Sequence, residues 1–165
     1  MQKFRDISNF SNVKTFPNIR AHEYMPNYSV VEADQINLIT SYATPSTPAQ
    51  DLCVVMQGLW NRTGDLYFGD RMLHQGEAIL LVGLASLATR FLDVGASNIT
   101  DSLDTDGAWL VATGDALVPD SAGNWVVGTA PTSGIYLKVT GFTSLPSYGS
   151  ESMTEPAVIT QIIAV

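Results

Sequence analysis

The residues best suited to chemistry are the aspartates of one loop region. Residues 102–107 (SLDTDG) place oxygen ligands at alternate positions before a glycine, as a calcium-binding loop does. The twelfth position of such a loop carries a bidentate glutamate, but here it is Thr113. A pair of carboxylates also serves glycosidases, and Asp101, Asp104, Asp106 and Asp115 are available in one region. We expect a solvated loop with aspartate-capped turns, and neither a metal site nor a catalytic pair.

Other catalytic and metal-binding patterns are missing from the sequence. His22 and His74 stand at no metal-ligand spacing from each other or from Cys53. The chain has no G-x-S-x-G elbow and no glycine-rich phosphate loop followed by Lys-Ser or Lys-Thr. Cys53 cannot form an internal disulfide and lies in an apolar run, where we expect a buried, inert thiol. We therefore predict a protein that is not an enzyme and that uses no cofactor and no metal.

The charge and composition of the chain limit the kinds of molecule that it is expected to bind. The chain has 16 acidic and 8 basic residues and a net charge of −8, which argues against nucleic acid or an anionic membrane as the partner. Only 15% of its residues are charged, which favours a subunit of an assembly. No stretch approaches the ~20 apolar residues that span a bilayer, and the N-terminus lacks a signal-peptide core, so we expect synthesis in a cytosol.

Short β-branched and aromatic runs, separated by turn-forming residues, dominate the chain from residue 28 onward. The strands predicted from them are 28–31, 36–42, 51–59, 109–112, 125–127, 135–139 and 157–165. Residues 120–124 (DSAGN) have the composition of a hairpin turn in which Gly123 adopts a positive φ. Roughly eight to ten strands with regular turns predict an all-β fold, either a small β-barrel or a β-sandwich, including a jelly-roll-like one.

The remaining segments are predicted as follows. Residues 43–50, with two prolines, and the acidic residues 94–107 are predicted loops. Within residues 75–93, an apolar run suits a buried strand while Leu84, Leu87 and Phe91 fall at helical spacing, so both structures stay open. The apolar C-terminal strand has to be paired, because an exposed edge invites aggregation, and we predict that it closes the sheet.

Residues 1–27 are predicted to form an extended N-terminal arm on a β-barrel or β-sandwich domain of residues 28–165. The aromatic residues of the arm follow no helical or strand period, and Pro17 and Pro26 interrupt any long helix. Such a segment lies over the surface of its own domain or of a neighbour, and we favour the neighbour. Half of the Lys and Arg residues fall here, so the arm is either solvated or docked on an acidic partner.

Residues 113–130 (TGDALVPDSAGNWVVGTA) carry a resemblance to a known family. A Gly-Asp enters a strand, an Asp-x-x-Gly turn follows, and a Val-Gly-x-Ala strand returns. The pattern resembles the head decoration, or cement, proteins of tailed bacteriophages, which are small β-barrel virion proteins. The resemblance implies a virion structural protein that binds the outside of a phage capsid and cements neighbouring major capsid subunits.

The resemblance further implies that an N-terminal arm orders on the capsid, a role that suits residues 1–27. The expected partners are the major capsid protein and other copies of this chain, with a trimer favoured. The expected location is the capsid surface of the virion, after synthesis in the host cytoplasm. The residues expected to bind the capsid, as apolar anchors or as cations facing an acidic surface, are Lys3, Phe4, Arg5, Phe10, Lys14, Phe16, Arg20 and Tyr24.

Two alternatives to a cement protein stay open. One is another phage structural protein, such as a tail or fibre component. The other is a carbohydrate-binding β-sandwich, because Trp60, Trp109 and Trp125, with Tyr67 and Tyr148, could present a face on which sugars stack.

Overall fold

A computed structural model describes residues 2–4, 14–16, 18–56, 72–146 and 154–165. Almost all regular structure in these residues is β, which confirms the prediction of an all-β fold. The strands are β1 (Gln2–Phe4), β2 (Met25–Pro26), β3 (Val30–Asp34), β4 (Ile39–Tyr42), β5 (Leu52–Val55), β6 (Met72–Leu73), β7 (Leu81–Gly83), β8 (Phe91–Gly95), β9 (Ala116–Pro119), β10 (Trp125–Gly128), β11 (Ile135–Pro146) and β12 (Thr154–Ala164). Short 3-10 helices occupy Leu84–Leu87 and Ala96–Asn98.

The strands form two main sheets. The six-stranded sheet has the order β1-β8-β12-β11-β9-β10, and the four-stranded sheet has the order β4-β3-β5-β7. Strands β2 and β6 make a separate pair. Within the described residues the strand order closes neither sheet into a barrel, so the β-sandwich is the predicted architecture that agrees with the structure.

Strands β5 and β7 of the four-stranded sheet are buried on both of their faces. Leu52 and Val54 of β5 enter the core that this sheet shares with the six-stranded sheet, where they join Trp125. Cys53 and Val55 point the other way, into a second core. Because alternate side chains of a strand enter opposite faces, a strand covered on both sides is apolar at every position. This explains the uninterrupted LCVV sequence of β5.

The second core is covered by residues of the predicted N-terminal arm. The buried side chains of that segment, each at most 4% exposed, are Phe16, Ile19, Ala21 and Met25. Its backbone runs antiparallel to residues 77–83, with Gly83 N donating to Lys14 O and Ile79 N donating to Ile19 O. Residues 14–16 and 18–27 therefore lie on the chain's own sheet, and the predicted boundary at residue 28 does not separate two packing units there.

Strand β1 joins the start of the chain to the six-stranded sheet. It pairs antiparallel with β8, with Gln2 opposite Val94. The Gln2 side chain is 1% exposed, and its Nε2 donates to Tyr28 O at 2.9 Å while its Oε1 accepts from Trp125 Nε1 at 3.4 Å. A buried amide that is bonded at both ends fixes the position of β1 against the sandwich.

The predicted hairpin at residues 120–124 is present, but one of the strands predicted beside it is not. Asp120 Oδ1 accepts from the backbone N–H of Ala122 and of Asn124, and Gly123 has a φ of 92°. This turn pairs β10 with β9, so the strand that precedes it is residues 116–119. The prediction of a strand at 109–112 is wrong: Trp109 makes only an isolated bridge to Leu103.

The C-terminal strand does not close the sheet. Strand β12 lies between β11 and β8 in the interior of the six-stranded sheet, so both of its edges are paired. The prediction that this apolar strand must be paired is confirmed, whereas its predicted place at the end of the sheet is wrong. Residues 75–93, for which the sequence left both a strand and a helix open, contain β7, a 3-10 helix and the start of β8. No helix in the described part of the chain has the length and apolar character to cross a membrane.

Candidate docking surface

The turn between β3 and β4 presents the most exposed large apolar side chain of the described residues. Ile36 is 91% exposed, and Leu38 and Ile39 beside it are 47% and 39% exposed. We call these three side chains, together with the neighbouring Arg20, the tip surface. An isolated exposed apolar residue needs no explanation, but a cluster at the end of a hairpin marks a candidate contact site.

The turn is held in place by the side chain of Asp34. Asp34 Oδ1 accepts from the backbone N–H of Ile36 at 2.8 Å and of Asn37 at 2.9 Å, and its Oδ2 accepts from Asn37 Nδ2 at 2.6 Å. The hydrogen bonds from Asn37 and Ile36 lower the pKa of the Asp34 carboxyl below its ordinary value. The carboxylate, and the turn that it caps, therefore persist into mildly acidic solution.

Leu38 adopts a backbone conformation that is unusual for its residue type. Its φ is 57°, in the left-handed region where the Cβ atom crowds the following carbonyl. Such a conformation costs on the order of 1–3 kcal/mol and persists where the surrounding structure enforces it. Here Leu38 O accepts from Arg20 N at 3.0 Å, and Arg20 O accepts from Thr40 N at 3.0 Å. The N-terminal segment thus helps to hold the turn that exposes Ile36.

Arg20 and Tyr24 both contact the turn at residues 74–76. The Arg20 side chain donates from Nη1 to Gly76 O at 2.7 Å, and the ring of Tyr24 lies 5.3 Å from that of His74. Tyr24 is 55% exposed. Of the residues predicted to bind the capsid, these two are placed at the surface close to the same turn.

Two other predicted capsid-binding residues, Lys14 and Phe16, lie next to each other on the second core. Phe16 is buried, with 4% of its surface exposed. The Nζ atom of the exposed Lys14 lies 4.5 Å from the centre of the Phe16 ring. Lys3 and Phe4 are placed by their backbone in β1, and Arg5 and Phe10 lie outside the described residues.

The predicted loop aspartates serve local structure. Asp104 Oδ1 accepts from the backbone N–H of Asp106 at 2.9 Å and of Ala108 at 2.8 Å, which is an aspartate-capped turn. Asp115 Oδ2 accepts from Ala112 N at 2.8 Å. Among the described residues, no three His, Cys, Asp or Glu side chains form a group that could hold a metal ion.

A groove of about 520 Å³ lies between two loops, residues 45–50 and 131–134. Its lining is Pro, Ser, Thr, Ala, Gln and Gly, with no titratable side chain. Acid–base or nucleophilic catalysis needs a group that titrates or is activated by one that does. The groove therefore offers space without the chemistry of an active site.

Comparison with known proteins does not identify a family for the chain. No family model matches it, and a search of curated proteins found no match.

Sequence reasoning missed Ile36, Leu38 and Ile39 as surface residues, because it assigned residues 36–42 to one strand. The signal that distinguishes them is Asp34 followed three residues later by Asn37, a pairing typical of an Asx turn. Once a turn is assigned to residues 35–38, Ile36 falls outside the sheet and has no core to enter.

Proposed function

We propose that the chain is a non-enzymatic virion structural protein that binds the outside of a phage capsid and cements neighbouring major capsid subunits. The identity of the partner comes from the resemblance of residues 113–130 to phage decoration proteins. The geometry contributes a means of attachment, in which a β-sandwich presents the tip surface to a pocket on the capsid. The protein acts at the capsid surface, after synthesis in the host cytoplasm.

The observation that carries the attachment mechanism is the exposure of Ile36 at 91% on a turn in which the Asp34 carboxylate accepts three hydrogen bonds. A turn that is already fixed loses little conformational entropy when it binds, so more of the contact energy appears as affinity. Burying an isoleucine side chain contributes roughly 1.5–3 kcal/mol. One such anchor is weak, but many copies that each join two or three neighbours resist internal pressure through multivalency.

Charge supports a protein surface as the partner. The net charge of −8 disfavours nucleic acid and anionic membranes. The backbone of Arg20 pairs with Leu38 of the tip surface, and its exposed side chain, which donates to Gly76 O, supplies a cation for an acidic group of the capsid. We expect the protein to act as a homo-oligomer, for which the resemblance implies three copies.

The test is co-sedimentation with capsids of the cognate phage that were assembled without this chain. The wild-type protein is expected to bind at a fixed stoichiometry. Ile36→Ser is expected to weaken attachment roughly 10- to 150-fold, the loss that corresponds to an unburied isoleucine. Leu110→Ser is the matched control, because Leu110 is 58% exposed in a different loop. Both variants should unfold at the same urea concentration as the wild type.

The results that contradict the proposal are distinct. A wild-type protein that stays free at all capsid concentrations overturns the cement function. Normal binding by Ile36→Ser removes the tip surface from the mechanism while leaving capsid attachment standing. A loss of binding in Leu110→Ser alone would place the contact in the other loop.

A carbohydrate-binding module remains the second candidate, and one observation favours it. The rings of Trp109 and Phe142 lie 5.4 Å apart, and Phe142 is 44% exposed, so an aromatic pair is available for stacking on a sugar. The rest of the predicted aromatic face does not add to it, since Trp125 is fully buried and Trp60 lies outside the described residues. Glycan binding that is lost in Phe142→Ala and kept in Ile36→Ser would support this candidate.

A further inference from the structure

The turn between β3 and β4 combines an exposed apolar side chain with a strained backbone. Leu38 has a φ of 57°, a conformation that residues other than glycine, asparagine and aspartate rarely adopt. Such a conformation persists only where other contacts offset the strain. The order of this turn therefore depends on the bonds that oppose the relaxation of Leu38.

Two sets of hydrogen bonds oppose that relaxation. At the end of the turn next to β4, the backbone N–H of Arg20 donates to Leu38 O at 3.0 Å. At the other end, the Asp34 carboxylate accepts from Ile36 N at 2.8 Å, and from Asn37 N and Nδ2 at 2.9 and 2.6 Å. The end of the turn that carries Ile36 is therefore held by Asp34.

The three bonds to Asp34 depend on the charge of its carboxylate. An ionised carboxylate accepts hydrogen bonds through both of its oxygens, whereas a protonated carboxyl carries a hydrogen on one of them and becomes a donor there. Hydrogen bonds to an ionised acceptor are also stronger than those to a neutral one. Protonation at either oxygen therefore removes an acceptor from the turn and weakens the bonds that remain.

We propose that attachment through the tip surface requires the ionised Asp34 carboxylate, and that protonation of Asp34 disorders the turn and weakens attachment. Asp34 is then a positioning residue, which acts through the Ile36 side chain that it holds outward. Because only the ordered turn presents Ile36 in the binding geometry, the apparent affinity falls with the fraction of molecules in which the turn is ordered. The inference rests on the proposed function for the contact between the tip surface and a capsid.

The direction of the pH dependence follows from the same hydrogen bonds. The bonds from Asn37 and Ile36 hold the pKa of Asp34 below its ordinary value of about 4. A carboxyl with a lowered folded pKa contributes its stabilisation fully above the unfolded pKa and loses it as the pH falls through the folded value. We therefore expect the turn to stay ordered in neutral and mildly acidic solution and to lose its order below about pH 4.

Other charged or titratable groups lie on the elements that surround the turn. They are Glu32 on β3, Tyr42 on β4, Asp51 before β5, and Arg20, His22 and Glu23 on the N-terminal segment. Thr47 Oγ1 donates to Glu32 Oε2, and Gln35 Nε2 donates to an oxygen of Asp51, each at 2.9 Å. These groups, and any acidic group of the capsid, are present both in the wild type and in a variant altered only at Asp34. The difference between those two proteins therefore reports on Asp34.

The first test uses Asp34→Asn in the full chain at pH 7, because asparagine has the shape of a protonated aspartate. Without capsids, amide hydrogen exchange of Ile36 and Asn37, measured by NMR, should accelerate roughly 2- to 12-fold, which corresponds to the loss of one hydrogen bond. Attachment to capsids in co-sedimentation should weaken at least about 2-fold. Asp104→Asn is the matched control, since Asp104 accepts two backbone hydrogen bonds in another exposed turn and should change neither measurement.

Two further measurements test the mechanism. As the pH is lowered, exchange in the wild type should approach that of Asp34→Asn at the same pH, with tryptophan fluorescence showing that the sandwich is still folded. Adding Leu38→Asn to Asp34→Asn should slow the exchange of Ile36 and Asn37 again, because asparagine tolerates the positive φ. If acid unfolds the sandwich first, the comparison at pH 7 decides.

The inference is overturned if Asp34→Asn matches the wild type in either exchange or attachment, or if Asp104→Asn weakens attachment as much. A wild-type protein that binds no capsid overturns the proposed function, and the attachment step of this inference falls with it. Exchange without capsids still decides whether Asp34 orders the turn, so the two failures are distinguishable.

Discussion

Replacing Phe16 by alanine should destabilise the whole sandwich, although the sequence alone places this residue in a peripheral arm. The Phe16 side chain is 4% exposed and packs in the second core. Its Cε2 atom lies 3.1 Å from where a Cβ on Gly83 would stand, so the ring is in close contact with β7. Loss of transfer free energy and the cavity left behind together cost about 3–5 kcal/mol for a buried Phe→Ala change.

That cost is large compared with the 5–15 kcal/mol that typically separates the folded and unfolded states of a domain. A loss of about 4 kcal/mol should lower the melting temperature by roughly 8–16 °C in a chain of this size. The assay is urea unfolding followed by tryptophan fluorescence, with thermal unfolding as a second measurement. Tyr24→Ala is the matched control, because it removes an aromatic ring that is 55% exposed in the same segment and should cost less than about 1 kcal/mol.

Two results would refute this reasoning. One is a Phe16→Ala protein whose unfolding free energy lies within about 0.5 kcal/mol of the wild-type value. The other is a chain lacking residues 1–27 that still unfolds cooperatively at the wild-type midpoint. We expect the truncated chain not to fold, because it loses strand β1 and the side chains that cover the second core. A stable truncated chain would mean that residues 1–27 are the detachable arm that their composition predicts.

Three further predictions concern the turns. Gly123→Ala should lower the free energy of unfolding, measured in urea, by about 2 kcal/mol, since φ is 92° and the new Cβ would stand 2.7 Å from Tyr42 Cε1. Gly107→Ala is the control for backbone strain alone, because φ there is 80° and the new Cβ would have no neighbour within 4 Å. Leu38→Asn should leave the unfolding free energy unchanged or raise it by up to about 1 kcal/mol, because Asn tolerates a positive φ, while capsid attachment weakens; a marked fall in stability would contradict the strain argument. Burial acts to raise the pKa of Asp120, but hydrogen bonds from Thr100 and from the backbone of the turn outweigh it and leave the pKa lowered. The ionised Asp120 therefore stabilises the fold above the unfolded pKa of about 4, and this stabilisation is lost as the pH falls through the folded pKa. Asp120→Asn should therefore be less stable than the wild type by about 1 kcal/mol at pH 7 and close to it near pH 2, and a difference that stays constant with pH would rule out this role.

The sequence predicts the hairpin at residues 120–124 well, because the signal is local. Asp120 and Asn124 bond within the turn and Gly123 supplies the positive φ, so few distant residues are needed to specify it. The strand before the turn is harder to predict. Residues 109–112 are more apolar than residues 116–119, but the turn fixes the register and places the latter opposite β10.

The tip surface can be predicted only in part from the sequence. Asp34 and Asn37 indicate an Asx turn, but Ile36 has the composition of a strand residue, and its 91% exposure depends on where the turn directs it. The position of Arg20 beside Leu38 is set by backbone bonds between segments far apart in the sequence. No local pattern carries that information.

By itself, the sequence determined the all-β class, the pairing requirement of the C-terminal strand and the turn at residues 120–124, because alternation, β-branched content and turn chemistry act over a few residues. Tertiary structure decided which surfaces those elements cover. Phe16 and Tyr24 are both aromatic residues in an aperiodic segment, yet one fills a core and the other faces solvent. The difference arises because the four-stranded sheet has a second apolar face, which Phe16, Ile19, Ala21 and Met25 help to bury. The existence of that face depends on strands brought together from across the chain.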